Sequence, residues 1–392
     1  MKKIVSVLMV LMLALGASIP AMAATKPNKY SLPLDGTVLQ GQADRQIKPV
    51  TPPERHPIIA GESPTTGLSW TGVYLPMLVQ ISNPQDSVKV NGSTVKAAGI
   101  GQRAPWGGQY ADVVYEGILY RTGETRISFL FNDSLEEGQP TSVGPVRSAR
   151  IGHVLLREEW QSGFVYAGGP RREENNISEM FSELGASDKG VLFNLLDGKW
   201  QDYKERLKGV KAPDNYSANV VGLRTLIPTD YAAQPHAFLF SDASPYTDGY
   251  DMAYNINLDW GHEKWVSHFV YDETENLYFR YSGDAPYMSF ASAEDRSVEN
   301  QTWMSFSNVI IQRVNYEYTN NNKIMPVMQN VGQGNADIFI GGRYIPGYWV
   351  RESVEGPTVY YDDQGNELQL SRGKTFIAHL PPESLCTFTG ME

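Results

Sequence analysis

The residues with the most chemistry in this sequence lie between Tyr110 and Arg150. Asp112, Tyr115 and Glu116 sit on an apolar run, Arg126 opens the next one, and Arg147, Ser148 and Arg150 close a loop that leads into a helical pattern. Arg147 and Arg150 are three apart and share a face wherever that stretch is helical. Cations at a helix start oppose its dipole by a few tenths to about 1 kcal/mol, and such a local conflict marks a candidate functional site. Two guanidiniums, the Ser148 hydroxyl and backbone N–H groups together suit a carboxylate or a phosphate. Internal pairing is the alternative: Asp112 and Glu116 would then neutralise Arg126, Arg147 or Arg150 inside the fold, with no ligand needed.

Other chemistries find no support. A phosphate-cradling glycine loop followed by Lys-Ser or Lys-Thr is missing, as is a Gly-x-Ser-x-Gly elbow. The six histidines are scattered outside metal-ligand spacings, so neither a metal nor a cofactor is expected. Cys386 is the only cysteine and reads as a small buried hydrophobe. The net charge of −11 argues against general binding to nucleic acid or anionic lipid. The 22 tyrosines suit β-sheet faces better than an exposed stacking surface.

Positioning elements can be read around the arginines. Leu75 to Ile81 and Ile127 to Phe131 have strand character, and Ala111 to Tyr120 fits a buried strand or a helix. Asn91-Gly92 predicts a hairpin turn. Ile151, Val154 and Leu155 mark a helix, and Phe164 to Ala167 a strand running into Gly168-Gly169. Ile177, Met180, Phe181 and Leu184 predict a second helix stopped by Gly185. A third is expected over Ser217 to Leu226. Beyond Pro245 the segments Phe269–Tyr281, Ser307–Tyr318, Ala336–Val350, Thr358–Leu370 and Lys374–Leu380 are strand-like. The expected fold is an α/β N-terminal domain over 61–235, a mixed sheet with helices, followed by a smaller, mostly antiparallel β domain over 245–392.

Ahead of both, Lys2, Lys3, the apolar run Ile4–Leu15 and Ala21-Met22-Ala23 predict a cleaved export signal over 1–23. Residues 24–60 read as a flexible spacer. The run is too short to span a bilayer, so no transmembrane segment is expected in the mature chain, which is placed outside the cell or in its envelope.

The order of motifs resembles the YerB-like family of bacterial lipoproteins. It is carried by Pro64-Thr65-Thr66-Gly67-Leu68, Ala111 to Glu116, Thr125-Arg126, Gly144-Pro145-Val146-Arg147-Ser148-Ala149-Arg150 and Ala167-Gly168-Gly169. Asn308 to Ile311, Gly347 to Arg351, Asp363 to Glu367 and Arg372 to Thr375 extend it. The resemblance implies two domains and no established activity. It adds Gly168, Gly169 and Asn215 to the candidate site. The sequence departs from it where Ala23-Ala24 replaces a lipid-acceptor cysteine, at Tyr166 and Pro213-Asp214-Asn215, where the family has histidines, and in an extra hairpin over 84–102.

Three functions follow as expectations. The first is an exported envelope protein that binds an anionic wall peptide or glycan fragment at Asp112, Tyr115, Glu116, Arg126, Arg147, Ser148, Arg150, Gly168, Gly169 and Asn215. The second is an envelope hydrolase with Glu116 or Asp112 as general acid or base. The third is a protein-interaction module whose partner is another envelope protein.

Overall fold

The computed structural model describes residues 37–39, 47–48, 50–53, 55–172, 175–297, 299–318 and 325–390. The strands of the first half that build the two large sheets are β1 (Thr37–Leu39), β2 (Met77–Ser82), β3 (Val113–Ile118), β4 (Thr125–Phe131), β5 (Gly163–Tyr166) and β6 (Leu192–Asn194). Those of the second are β7 (Asn255–His262), β8 (Trp265–Asp272), β9 (Leu277–Ser282), β10 (Asn308–Arg313), β11 (Gly332–Ile340), β12 (Arg343–Arg351), β13 (Val359–Asp362), β14 (Thr375–Leu380) and β15 (Cys386–Thr389). Helices are few: α1 (Ile151–Trp160), α2 (Ile177–Glu183) and α3 (Val220–Arg224).

A ten-stranded sheet in the order β6-β5-β2-β4-β3-β14-β10-β11-β12-β13 takes five strands from each half of the chain. The halves join where β14 pairs in parallel with β3, Phe376 opposite Val114 and Ala378 opposite Glu116. A second sheet, β1-β15-β7-β8-β9 with short additions, covers one face. Alternate residues of each strand therefore enter two different cores. Val79, Val114, Phe129, Val309 and Phe376 pack with Ile256, Leu258 and Phe269 of the covering sheet. Leu78, Val113, Leu130, Ile310 and Ile377 pack with Val154, Leu156 and Trp160 of α1. Burial on both faces is why these strands are continuous apolar runs rather than alternating ones.

The N-terminal region is a mixed sheet and the C-terminal region is mostly antiparallel, with less helix than an α/β reading implies. Ala111–Tyr120, open between strand and helix, is the strand β3. The third helix shrinks to Val220–Arg224, because Tyr216–Ala218 pairs instead with Lys204–Arg206. The helix ending at Gly185 stands as expected, with Gly185 at φ +63°. The hairpin turn has Asn91 and Gly92 at φ 48° and 82°, a backbone that favours this residue pair.

Parts of the stretch expected to be a flexible spacer, 24–60, contact the body of the fold. β1 pairs with β15, and Arg55 donates to the carbonyls of Pro235 (3.0 Å) and Glu159 (3.1 Å). His56 Nε2 lies 2.6 Å from Glu367 Oε1. These contacts tie residues 37–39, Arg55 and His56 to the body of the fold. Signal residues 1–23 lie outside the described residues.

Candidate functional site

Strands β6, β5, β2, β3, β14 and β10 all point the same way, so their carboxyl ends share one edge of the long sheet. β4 runs against them and brings its first residues, Thr125 and Arg126, to that edge. In open sheets of this kind the carboxyl edge is where ligands bind.

The Gly144–Arg150 loop crosses the same edge. Ser82 N–H donates to the Pro145 carbonyl and Arg147 N–H to the Gln80 carbonyl, both at 2.8 Å. Gly144 fits because a Cβ there would strike the Trp106 ring and the Tyr216 carbonyl. Downstream, Ala167 N–H donates to Arg147 O and Ala149 N–H to Gly168 O. The loop is thus stitched between β2 and the turn after β5 before α1 begins at Ile151, with Arg150 as its N-cap. Both arginines precede the helix. Non-local pairing, rather than helical spacing, brings them to Arg126.

Arg126 is 2 % exposed, and its Nε and Nη1 have no hydrogen-bond partner among the described residues. Burial first, then Arg150 and Arg147, pushes its pKa down to about 9. Arg150 Nη1 donates to Ser148 Oγ (3.0 Å) and to the Ala149 carbonyl (2.8 Å), and Nη2 to Tyr120 Oη (3.3 Å). Its Nε is also unpartnered among the described residues. None of these acceptors carries a formal charge, and burial lowers the Arg150 pKa as well. The nearby His153 is held well below the usual imidazole range by burial, then by Arg126 and Arg150, and is neutral. Its Nδ1 accepts from the Arg150 N–H.

Two carboxylates approach this cluster, and neither is a residue singled out from sequence. Asp214 accepts from Ser82 Oγ at 2.7 Å, pairs with Arg103, and reaches Arg147 only at 3.6 Å. Glu124 is half-buried, and burial raises its pKa against the pull of Arg126 and Arg147. Asp214 stands where the sequence departs from the family's histidine, which was the one available signal for it.

The expected internal pairing does not occur. Glu116 accepts from Arg280 Nη2 (2.7 Å), Ser267 Oγ (2.9 Å), Thr125 Oγ1 (2.6 Å) and Asn83 Nδ2 (3.2 Å), and is buried. Its partner is thus Arg280 of β9, in the covering sheet. Asp112 Oδ2 accepts from Thr65 Oγ1 (3.0 Å) and from the N–H groups of Asn132 (2.7 Å) and Asp133 (3.0 Å). Burial and the Asp133 carboxylate push the Asp112 pKa up to about 8. Tyr115 accepts from Trp160 Nε1 at 2.8 Å and stacks on His379. Asn215 is buried, with Nδ2 on the Leu207 carbonyl at 3.4 Å.

Gly168 and Gly169 lie elsewhere on the edge, in the wall of a 420 Å³ cavity at the ends of β5 and β6. Tyr166, Ile177, Asn194 and Leu196 line it too. Gly169 is a packing glycine, since a Cβ would strike Ile177. Of the ten candidate residues, Arg126, Arg147, Ser148 and Arg150 therefore converge. Asp112, Tyr115, Glu116 and Asn215 brace the interior, and the two glycines border a neighbouring cavity.

Comparison with known proteins places these features in context. Residues 81–231 match the N-terminal domain, and residues 256–377 the C-terminal domain, of the family described as Protein of unknown function (DUF3048). The structure is similar to the crystal structure of YerB from Bacillus subtilis, with a TM-score of 0.62 and 22 % identity over 83 % of this chain and 99 % of that one. No curated protein matches.

Proposed function

We propose that this chain, which belongs to the two-domain family of unknown function DUF3048, binds a small anion against Arg126, Arg147 and Arg150 at the carboxyl edge of its long sheet. One observation carries the reading. Arg126 is a buried guanidinium with two unpartnered N–H-bearing nitrogens among the described residues, and the nearest other charges include two more arginines. A buried cation left this way destabilises a fold by several kcal/mol. An anion drawn from outside offsets that cost through its charge and accepts from Arg147, the most exposed of the three side chains. Export to the cell envelope belongs to the same proposal, and there the anion is a carboxylate or phosphate of wall material.

A hydrolase built on Glu116 or Asp112 has less support. Glu116 is locked by Arg280 and three neutral donors, and Asp112 is held by three donors on one oxygen. A protein-interaction role has no observation favouring it over the others.

Sulfate titration followed by thermal unfolding tests the anion site. Sulfate raises the wild-type midpoint. Arg126→Leu, in salt-free buffer, melts no lower than wild type, because it removes an unpaired buried charge, and sulfate leaves its midpoint unchanged. Equal sulfate shifts in the two proteins refute the proposal.

A further inference from the structure

We infer that the anion is the head of a larger ligand, a compact dianion of the phosphate monoester type carried on an uncharged, polar body of about one sugar ring that lies in the cavity beside Gly168. The inference rests on the anion-site reading above and extends it. Arg103 and Arg147 share the Asp214 carboxylate, whereas Arg126 and Arg150 have no ion pair among the described residues. Two unpaired guanidiniums match a dianion better than a single carboxylate.

Sheet geometry puts the cavity within reach of that head. Arg126 follows the alternation of Ser128 and Leu130 on β4, and Leu130 faces the α1 side of the sheet. Tyr166 of β5 faces the same side, and β2 alone separates β5 from β4. Arg126 is opposite Ser82 and Tyr166 is level with Gln80, so two strand spacings and a two-residue offset put the two positions about 12 Å apart. The Arg147–Arg150 loop is bonded directly to Ala167 and Gly168, so no element intervenes.

The cavity lining selects the body. Its 420 Å³ lies within the usual range of small-molecule sites, about 300–1,000 Å³. Ile177 and Leu196 supply apolar surface, and Ser178 and Asn194 supply neutral polar groups. Asn194 Oδ1 accepts from the N–H groups of Gly168 (2.9 Å) and Leu196 (3.2 Å), which fixes the amide and leaves its NH2 as a donor. Arg171 and Asp197 on the rim cancel in charge. An apolar surface with fixed hydrogen-bonding groups and no net charge suits a sugar ring.

Calorimetry at pH 7.5 and low salt, with inorganic phosphate, N-acetylglucosamine and N-acetylglucosamine 1-phosphate as probes, tests this. The sugar phosphate is expected to bind at least about ten-fold tighter than phosphate, a difference of about 1.4 kcal/mol. Ser178→Trp fills the cavity from an exposed position and leaves the fold intact. It is expected to erase the ten-fold gain while phosphate binding stays at the wild-type level, and Arg126→Leu to lose both ligands. Sugar phosphate binding no tighter than phosphate, or a gain that survives Ser178→Trp, overturns the inference and leaves the anion site standing. Failure of phosphate and sulfate alike to bind wild type overturns the anion site itself.

Discussion

Glu116→Gln separates an internal brace from a ligand site, and its cost can be worked from the contacts. Glu116 and Arg280 are each 1 % exposed and joined at 2.7 Å. Arg280 lies over the Tyr287 ring at 3.8 Å and the Phe376 ring at 5.0 Å, and its Nε and Nη1 have no partner among the described residues. Glu116 therefore supplies its only carboxylate among the described residues. Glutamine keeps the volume and one carbonyl oxygen but removes the charge. Its NH2 must face either Arg280 or Asn83, and both present donors there. Breaking one partner of such a buried pair costs about 3–5 kcal/mol. At about 2 °C per kcal/mol, the thermal midpoint falls by about 6–10 °C. The double variant Glu116→Gln/Arg280→Met removes both charges at similar volume and recovers most of the loss. Melts of wild type, both singles and the double, read by circular dichroism, give the coupling. A single variant within about 1 kcal/mol of wild type, or a double variant worse than either single, would falsify the brace.

Arg147→Ala behaves differently. Its side chain is 24 % exposed and reaches Asp214 only at 3.6 Å, so the melt moves by less than about 1 kcal/mol while sulfate affinity drops; a large loss of stability contradicts this. Asp112, with its pKa raised to about 8, holds a proton in the folded state that the unfolded chain has released, so stability falls as pH rises from about 4 to about 8. Urea titrations from pH 5 to 9 should show a flatter slope for Asp112→Asn, and an unchanged slope counts against that protonated carboxyl. Arg126 must be protonated to hold an anion, so the sulfate-induced rise in midpoint is present at pH 7.5 and fades above about pH 9. Sulfate stays a dianion throughout, so a rise undiminished at pH 10.5 means another group binds it. Mass spectrometry of protein from its natural host should find Ala24 as the first residue with no lipid attached, and an intact Met1 sinks the export reading.

What the sequence determined was local. Apolar runs marked β2, β4 and β5 as strands but left β3 open between strand and helix, the i, i+3, i+4, i+7 pattern marked α2, and Asn91-Gly92 marked a hairpin, because period and turn chemistry are written in neighbouring residues. The candidate arginines were legible for a related reason: Arg147 and Arg150 stand just before a helix they oppose electrostatically. Partner choice was not legible. Glu116 is nine residues from Thr125 but 164 from Arg280, and only the packing of the covering sheet on the long one brings that guanidinium to it. Nor could spacing reveal that β3 would pair with β14, which makes one sheet of two halves that read as separate domains. The positive excess at the carboxyl edge has the same origin. Asp214 reaches it through a chain crossing, whereas Glu124 comes from the turn just before β4, and the burial that leaves Arg126 Nε and Nη1 without partners among the described residues exists only once the chain has packed around β4. Sequence specifies short-range geometry directly, whereas charge balance in a buried site is a sum over elements far apart in the chain and is set only when they pack.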